Sequence, residues 1–364
     1  MHDAYSSQAS RAKKEAPTMG SLLSFTAART IGIIEETDRP LAPREVRLRT
    51  LFSGISAGTE LTAYRGSNPY LHKRWEPTQR LFVADERTAP AYPLPGWGYE
   101  ECGEVVELGA DAAGVALGQR VYGTWGHKTH AIVDLDYAKS RILPEHADPK
   151  LGIFSQIGAI SLNAILDAQI NLGETIAVFG LGVVGQLVAQ LARLSGARVI
   201  GVELLESRRE LARSLGTPTV VDGHGAAETI KELTAGRGAD ICIEASGATS
   251  ALHEAIRACA YSAKVVAMGF YQGEGRGLFL GEEFHHNRIN IVGSQISGVS
   301  PGLKYRWDTA RLVSTFMGLV ADGRLDLAPL ITHVAPFNAA AGLFDLLDRH
   351  PEQVVQAVIA CAEA

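Results

Sequence analysis

The sequence predicts an α/β protein in two parts, a Gly-rich β domain of barrel-like form and a doubly wound parallel-sheet domain. Three observations predict it. Ile176 to Phe179 is a short apolar run that leads directly into Gly180, Gly182 and Gly185, spaced G-x-G-x-x-G. From there to Val292, short apolar runs alternate with amphipathic stretches, the pattern of strands joined by helical crossovers. Ahead of Pro144 the chain shows short β-like segments cut by glycines and prolines.

The glycine run carries the most information. After it Val184, Leu187, Val188, Leu191 and Leu194 share one helical stripe, with Gln186, Gln190 and Arg193 off it. Ser195-Gly196 ends that helix. A second apolar run, Arg198 to Val202, ends on Glu203, 23 positions after Gly180. Each part has a physical job. Gly180 permits the tight turn, Gly182 lets the backbone approach a pyrophosphate, and Gly185 lets helix and strand pack closely. The free N–H groups opening the helix, at Val183 and Val184, favour a phosphate. Glu203 is placed to accept hydrogen bonds from an adenosine ribose. A plain Gly-rich turn would show the glycines alone. Here strand, turn, helix, second strand and acid come in order, which reads as a Rossmann dinucleotide site.

A chain of 364 residues favours two domains over one. With 46% hydrophobic and 20% charged residues, the composition is that of an ordinary globular protein. The net charge of −6 and the lack of a dense Lys/Arg stripe argue against a nucleic-acid partner. Cys102, Cys242, Cys259 and Cys361 form no C-x-x-C pair, so neither a disulfide framework nor a zinc ribbon is indicated, and a reducing cytoplasm fits. No uninterrupted apolar stretch reaches membrane-spanning length, so a small-molecule substrate is expected and no membrane partner.

In chain order, residues 1–18 read as a polar, disordered extension, with Met19-Gly20 an alternative beginning. Residues 19–150 form the first part of the β domain. Phe25 to Ile34 and Glu45 to Phe52 are its first expected strands, and the second runs into Ser53-Gly-Ile-Ser-Ala-Gly-Thr-Glu60, a tight loop suited to active-site groups. Tyr64 to Tyr92 has no sustained period and reads as a long loop with short helical pieces. Pro93 to Glu100, Leu117 to Tyr122 and Gly123 to Val133 supply further turns and strands. Residues 151–294 form the Rossmann domain, preceded by a helical run from Pro144 to Asn171. Its later strands are expected at Thr219–Val221, Asp240–Ala245, Ala263–Met268 and Ile289–Val292. Residues 295–364, with a helix at Asp308–Ala321, are expected to rejoin the first domain.

From Ser24 to the end this layout resembles the medium-chain dehydrogenase/reductase superfamily, with its GroES-like catalytic domain. The motifs that carry the likeness are the loop at Gly54–Glu60, the segment Pro95–Val105, the fingerprint at Gly180, and Glu244-Ala-Ser-Gly247 ending a later strand. Ser53–Glu60 and Pro95–Glu100 look most like the branch that contains the bacteriochlorophyllide hydroxyethyl dehydrogenases. The resemblance implies a nicotinamide cofactor, with Ser246 and the basic Arg208 beside it.

The departures from the zinc-dependent members are at the ligands. Ser56 stands where they carry a Cys, Tyr99 where they carry a His, with Glu100 retained, and Gln156 is near the third position. Neutral Ser, Tyr and Gln are poor zinc ligands. No cysteine precedes Cys102, so the four-Cys structural lobe is missing as well. His127 and His130, with Glu60 and Glu100, do not fix a tetrahedron. The expectation is therefore no zinc.

Without a metal, hydrogen-bond donors must meet the charge developing on oxygen. Thr59, Tyr99 and His127 are the candidates, with Glu60 and Glu100 placed to tune them or to brace the loop. Thr59 matches a family position where a hydroxyl relays the substrate proton. For Tyr99 a packed aromatic with a satisfied hydroxyl is the competing reading, and the same holds for Trp97, Trp125 and Tyr271. Three functions follow: a zinc-free alcohol/ketone oxidoreductase, a zinc-free enoyl or quinone reductase, and a non-catalytic nucleotide-binding protein. Thr59 with Glu60 favours the first. Glu203 favours NAD over NADP, and Arg208 and Arg209 weigh the other way. The apolar run Ile289–Gly293 at a sheet edge predicts a homodimer.

Overall fold

The computed structural model describes residues 19–37, 39–84 and 91–361. The expected extension 1–18 lies outside the described residues.

Six parallel strands form one sheet in the spatial order Thr219–Asp222, Arg198–Glu203, Thr175–Phe179, Ala239–Glu244, Cys259–Ala267 and Asn290–Gly293. The sequence order reverses between Thr175–Phe179 and Ala239–Glu244, the switch point at which such sheets bind ligands. Phe179 pairs with Val202 on one side and Glu244 on the other. The Gly180 turn therefore leaves the sheet between two acidic strand ends, Glu203 and Glu244.

The second large sheet is built from distant parts of the chain. Its order is Ile331–Pro336, Gln356–Ala360, Glu45–Ile55, Glu101–Leu108 and Arg120–Gly123, and His130–Asp134 also pairs with Glu45–Ile55. The last strand, Gln356–Ala360, runs antiparallel against Phe52–Ile55, so the C-terminal segment does return to the first domain. Between the sheets lies the helix Phe154–Ala168, buried along most of its length. It packs against the fingerprint helix Val183–Leu194 and against Thr309–Ala321. The apolar helical run Pro149–Ala168 is long enough to cross a membrane, but 78% of it is buried here as core.

Two stretches differ from the sequence reading. Phe25–Ile34 is not one strand but the turn of a hairpin, Met19–Ala27 against Thr30–Thr37. The chain reverses at Ala28-Arg29, where Arg29 takes φ 57°. No glycine marks this turn. It is held by tertiary bonds, from the Arg29 N–H to the Tyr64 carbonyl at 2.6 Å and from its guanidinium to Asp348 at 2.7 Å. Within Tyr64–Tyr92 the structure adds a second hairpin, Lys73–Glu76 with Leu81–Ala84, where a loop was expected. Its turn likewise lacks a glycine and uses Arg80 at φ 53°.

Candidate active site

The cofactor end is made by backbone. Gly180 has φ +86°, and a Cβ there would lie 2.7 Å from the Ser246 Cβ. A Cβ on Gly185 would lie 1.8 Å from the Gly180 carbonyl oxygen, so helix and strand meet at a distance only glycine allows. Gly182 faces open space, with the Arg208 Nη1 at 3.9 Å as the nearest atom. The helix begins at Val183, with Val184 next, and presents its N–H groups to that space. Glu203 is buried at its strand end. Its carboxylate accepts the Leu181 N–H at 2.8 Å, the Leu204 N–H at 2.8 Å and the Leu205 N–H at 3.1 Å, so it also braces the glycine turn. Oε1 is filled by the Leu204 and Leu205 N–H groups, while Oε2, with Leu181 alone, keeps a lone pair for a ribose hydroxyl.

On the far side Glu244, fully buried, accepts the Ser246 N–H at 2.8 Å and the hydroxyls of Ser246 and Tyr271. This holds Ser246 against Gly180. Arg208 reaches across to the C-terminal segment and donates to the carbonyls of Pro351 at 2.6 Å and Val354 at 2.9 Å. It borders the cradle and ties it to the other sheet. The empty side of Gly182, the helix start and the Glu203 carboxylate together fit a dinucleotide.

The catalytic end is made by side chains. Ser56 follows the strand Glu45–Ile55, and Thr59 precedes the short helix Glu60–Arg65. Tyr99 comes from the turn before Glu101–Leu108. The Tyr99 hydroxyl is hydrogen-bonded to Ser56 Oγ and donates to Thr59 Oγ1 at 3.3 Å. So three of the residues singled out in the sequence do converge, as a cluster of hydroxyls. Burial and the neighbouring Glu100 push the Tyr99 phenol well above its ordinary pKa, which keeps it a donor. Thr59 is half-buried and in reach of solvent.

Behind this cluster lie three fully buried carboxylates and one imidazole. His127 Nε2 meets Glu60 Oε2 at 2.6 Å, and its Nδ1 meets Ser53 Oγ at 2.7 Å. Ser53 donates to Glu101 Oε1 at 3.0 Å. Glu60 Oε1 accepts the Ser56 N–H at 3.0 Å, and Glu101 Oε2 accepts the Trp125 N–H at 2.7 Å. His127 and Glu60 thus stand behind the hydroxyls rather than among them. Glu100 accepts from Gln356 Nε2 at 3.1 Å, while its Oε1 finds no partner among the described residues. Burial, then the charges of Glu60 and Glu101, raise its pKa well above the usual carboxylate value, so it holds a proton.

Ser53 and Glu101 were not singled out in the sequence. Two neighbouring carboxylates, Glu100-Glu101, opening an apolar strand were the available signal, since alternation should expose one of them. Trp97 and Trp125, also singled out in the sequence, are packed or bonded elsewhere. Trp97 packs on Phe25, and the Trp125 indole donates to Thr50 Oγ1 at 3.0 Å. Gln156 lies in the first turn of Phe154–Ala168, half-buried.

The zinc implied by such a fold finds no suitable donors here. Ser56 and Tyr99 satisfy each other's hydroxyls, and among the described residues no three His, Cys, Asp or Glu side chains converge on a metal position.

Residues 183–313 match the zinc-binding dehydrogenase family. D-guloside 3-dehydrogenase of Escherichia coli K12 is 30% identical over 340 residues, which cover 91% of this chain and 97% of that protein. (R,R)-butanediol dehydrogenase of Bacillus subtilis is 25% identical over 295 residues, covering 73% and 80%. Among solved structures, a zinc-binding dehydrogenase from Sinorhizobium meliloti bound to NADP superposes with TM-score 0.72 at 20% identity, over 94% of this chain and 99% of that one. The chain belongs to the medium-chain dehydrogenase/reductase superfamily of zinc-binding dehydrogenases, and is an NAD(P)-dependent oxidoreductase of the alcohol dehydrogenase type. Its relatives interconvert alcohols and ketones, which sets aside the reading as a non-catalytic nucleotide binder.

Proposed function

We propose that the chain is a zinc-independent dehydrogenase that prefers NAD(H) and acts on a secondary alcohol of a carbohydrate. The observation that carries the metal-free reading is the cluster of Ser56, Thr59 and Tyr99 hydroxyls, in which Ser56 and Tyr99 stand at positions where zinc-dependent relatives place ligands. The name of the guloside dehydrogenase relative supports the substrate class. The likeness of Ser53–Glu60 and Pro95–Glu100 to the bacteriochlorophyllide branch supports the loss of zinc, not a substrate.

Hydride exchange with the carbinol carbon is the chemistry a bound nicotinamide supplies. The chain supplies the rest. Tyr99, kept protonated, turns its one hydroxyl hydrogen from Thr59 Oγ1 to the substrate oxygen and meets its charge. Thr59 Oγ1, at the edge of solvent, passes the hydroxyl proton to or from water. Gly180, Gly182, Val183, Val184 and Gly185 hold the pyrophosphate, and Ser246 walls the turn. Glu203 binds the adenosine ribose and repels a 2′-phosphate, with Arg208 alongside. A reducing cytoplasm belongs to the same reading, since Cys102, Cys242, Cys259 and Cys361 are all free thiols. So does a homodimer, because Asn290–Gly293 is an edge strand with Ile291 exposed. Sedimentation at micromolar concentration checks the latter, and a monomer alone would remove it.

Metal analysis tests the central claim. Purified protein should contain no stoichiometric zinc, and a chelator should leave NAD-dependent oxidation of a methyl D-guloside unchanged. Stoichiometric zinc whose removal abolishes turnover would overturn the proposal.

A further inference from the structure

The chain Glu60–His127–Ser53–Glu101 is drawn from four separate segments of the first domain. Ser53 lies in the strand Glu45–Ile55, Glu60 opens the helix Glu60–Arg65, Glu101 opens the strand Glu101–Leu108, and His127 sits between Arg120–Gly123 and His130–Asp134. All four side chains are at most 1% exposed. Each end terminates on a backbone N–H, of Ser56 at one end and Trp125 at the other. His127 is itself anchored by its main chain, with its N–H on the Trp97 carbonyl at 2.8 Å and its carbonyl on the Leu23 N–H at 2.9 Å.

We propose that His127 is a positioning residue, and that one proton shared between His127 and Glu101 through Ser53 locks the loop that presents Ser56 and Thr59. This rests on the reading of Thr59 and Tyr99 as the groups that meet substrate.

The contacts fix a proton count. Three side-chain contacts, at 2.6, 2.7 and 3.0 Å, need three hydrogens. An ionised Glu60 only accepts, so His127 Nε2 carries a hydrogen. Ser53 owns one hydrogen. If it points to Glu101, His127 Nδ1 must donate as well, and the ring is an imidazolium. If Ser53 points to His127, Glu101 must carry the hydrogen, and the ring is neutral. The two arrangements hold the same number of protons and differ by one concerted shift through Ser53. With one proton fewer, two acceptors face each other in a dry site, which costs the contact. The carboxyl groups around the line are Glu60, Glu101 and the adjacent Glu100, with Tyr99 and Cys361 the other titratable neighbours. The Phe344 ring covers the imidazole edge-on. Burial alone would lower the His127 pKa, but Glu60 and Glu101 outweigh it and raise it, and burial raises Glu101. Both directions favour retention of the shared proton.

The line does for the loop what a metal ion does in zinc-dependent relatives: it crosslinks the first loop to the segment after Tyr99. The test uses full-length protein labelled with ¹⁵N-histidine. In the unsubstituted protein the His127 ring nitrogens should show averaged, partly protonated shifts near pH 7, without any substrate present. Glu101→Gln places a permanent N–H donor toward Ser53. It should fix His127 as the neutral tautomer with its hydrogen on Nε2, independent of pH. Ser53→Ala removes both contacts of the Ser53 hydroxyl and should cut NAD-dependent oxidation of a methyl D-guloside by about tenfold or more, with KM for NAD unchanged. The unsubstituted protein should lose turnover at alkaline pH, as the shared proton leaves, and Glu101→Gln should not. The same neutral tautomer in both proteins, or a silent Ser53→Ala, would overturn the proposal. The nitrogen shifts need no turnover, so a failure of the Thr59 and Tyr99 roles leaves this test readable.

Discussion

The cofactor cradle and the hydroxyl centre sit in one molecule but are specified in opposite ways. The cradle is backbone: three glycines, a helix start and a strand end within 24 consecutive residues, Gly180 to Glu203. Its exactness comes from absent side chains, as where a Cβ on Gly185 would lie 1.8 Å from the Gly180 oxygen. The hydroxyl centre is side chain, assembled from segments up to 74 positions apart, and its order comes from buried hydrogen bonds. A backbone site tolerates change in its surroundings and none in its glycines. A side-chain site depends on every partner and on protonation.

The largest effect should come from the cradle. Gly185→Val puts atoms inside the Gly180 carbonyl, and overpacking of this kind costs about 1–3 kcal/mol or more. We expect no measurable NAD binding by calorimetry and a lower melting temperature. Retained binding would show that helix and strand can part without loss. The hydroxyl centre should break differently. Thr59→Val and Tyr99→Phe should each lower turnover by about a hundred- to a thousandfold, as loss of one donor to a developing oxyanion does. NAD affinity should not change. If Tyr99→Phe alone is silent, its ring is packing and the Thr59 role stands by itself.

The contrast also governs what the sequence made legible. The alternation of strands and helices around the cofactor, the fingerprint helix and the acid ending the next strand are local patterns, readable in the sequence. The meeting of Ser56, Thr59 and Tyr99 was readable only through the family resemblance, because nothing local brings residue 99 to residue 56. The partnership of His127 with Ser53 and Glu101 was not readable. Hydrogen bonds between residues 48 and 74 positions apart leave no periodicity in the chain. The same reason hid both hairpins, whose turns at Arg29 and Arg80 adopt positive φ without a glycine to announce it. Arg29 is fixed there by Tyr64 and Asp348.

Glu203 sharpens the comparison, since it is the one cradle residue that acts through its side chain. Glu203→Gln keeps the size and the acceptor facing Leu181 and removes the charge; its NH2 then faces the Leu204 and Leu205 N–H groups, a cost common to both cofactors that the ratio of affinities cancels. The ratio of NADP(H) to NAD(H) affinity should rise by roughly tenfold, the 1.4 kcal/mol expected of one lost repulsion. Titration with both cofactors measures it. Tighter NADP(H) binding by the unsubstituted protein would reverse the assignment and point to Arg208.

The smallest effect at neutral pH, and the one that most directly separates the two regions, is on stability against pH. Glu100 is fully buried, and burial with the charges of Glu60 and Glu101 raises its folded pKa well above 4.5. Below 4.5 both folded and unfolded chains hold the proton, and this group's contribution is fully present. Above 4.5 the unfolded chain releases its proton while the folded chain keeps it, so stability falls as pH rises toward the folded pKa. Each such proton contributes a slope of about 1.4 kcal/mol per pH unit. Glu101, also raised, has the same sign, and His127 adds to it above 6.5. Carboxylates held low by ion pairs, such as Asp348, where burial is outweighed by Arg65 and Arg29, act in the opposite sense only in acid, so in the window from pH 5 to 8 the raised groups set the slope. Glu100→Gln keeps a neutral group of the same shape with an oxygen for Gln356. Its urea-unfolding free energy should therefore decline less steeply than that of the unsubstituted protein across this window, by about 1.4 kcal/mol per pH unit. Parallel declines would mean that Glu100 is ionised in the folded chain, and that its unpartnered Oε1 is satisfied by something other than its own proton.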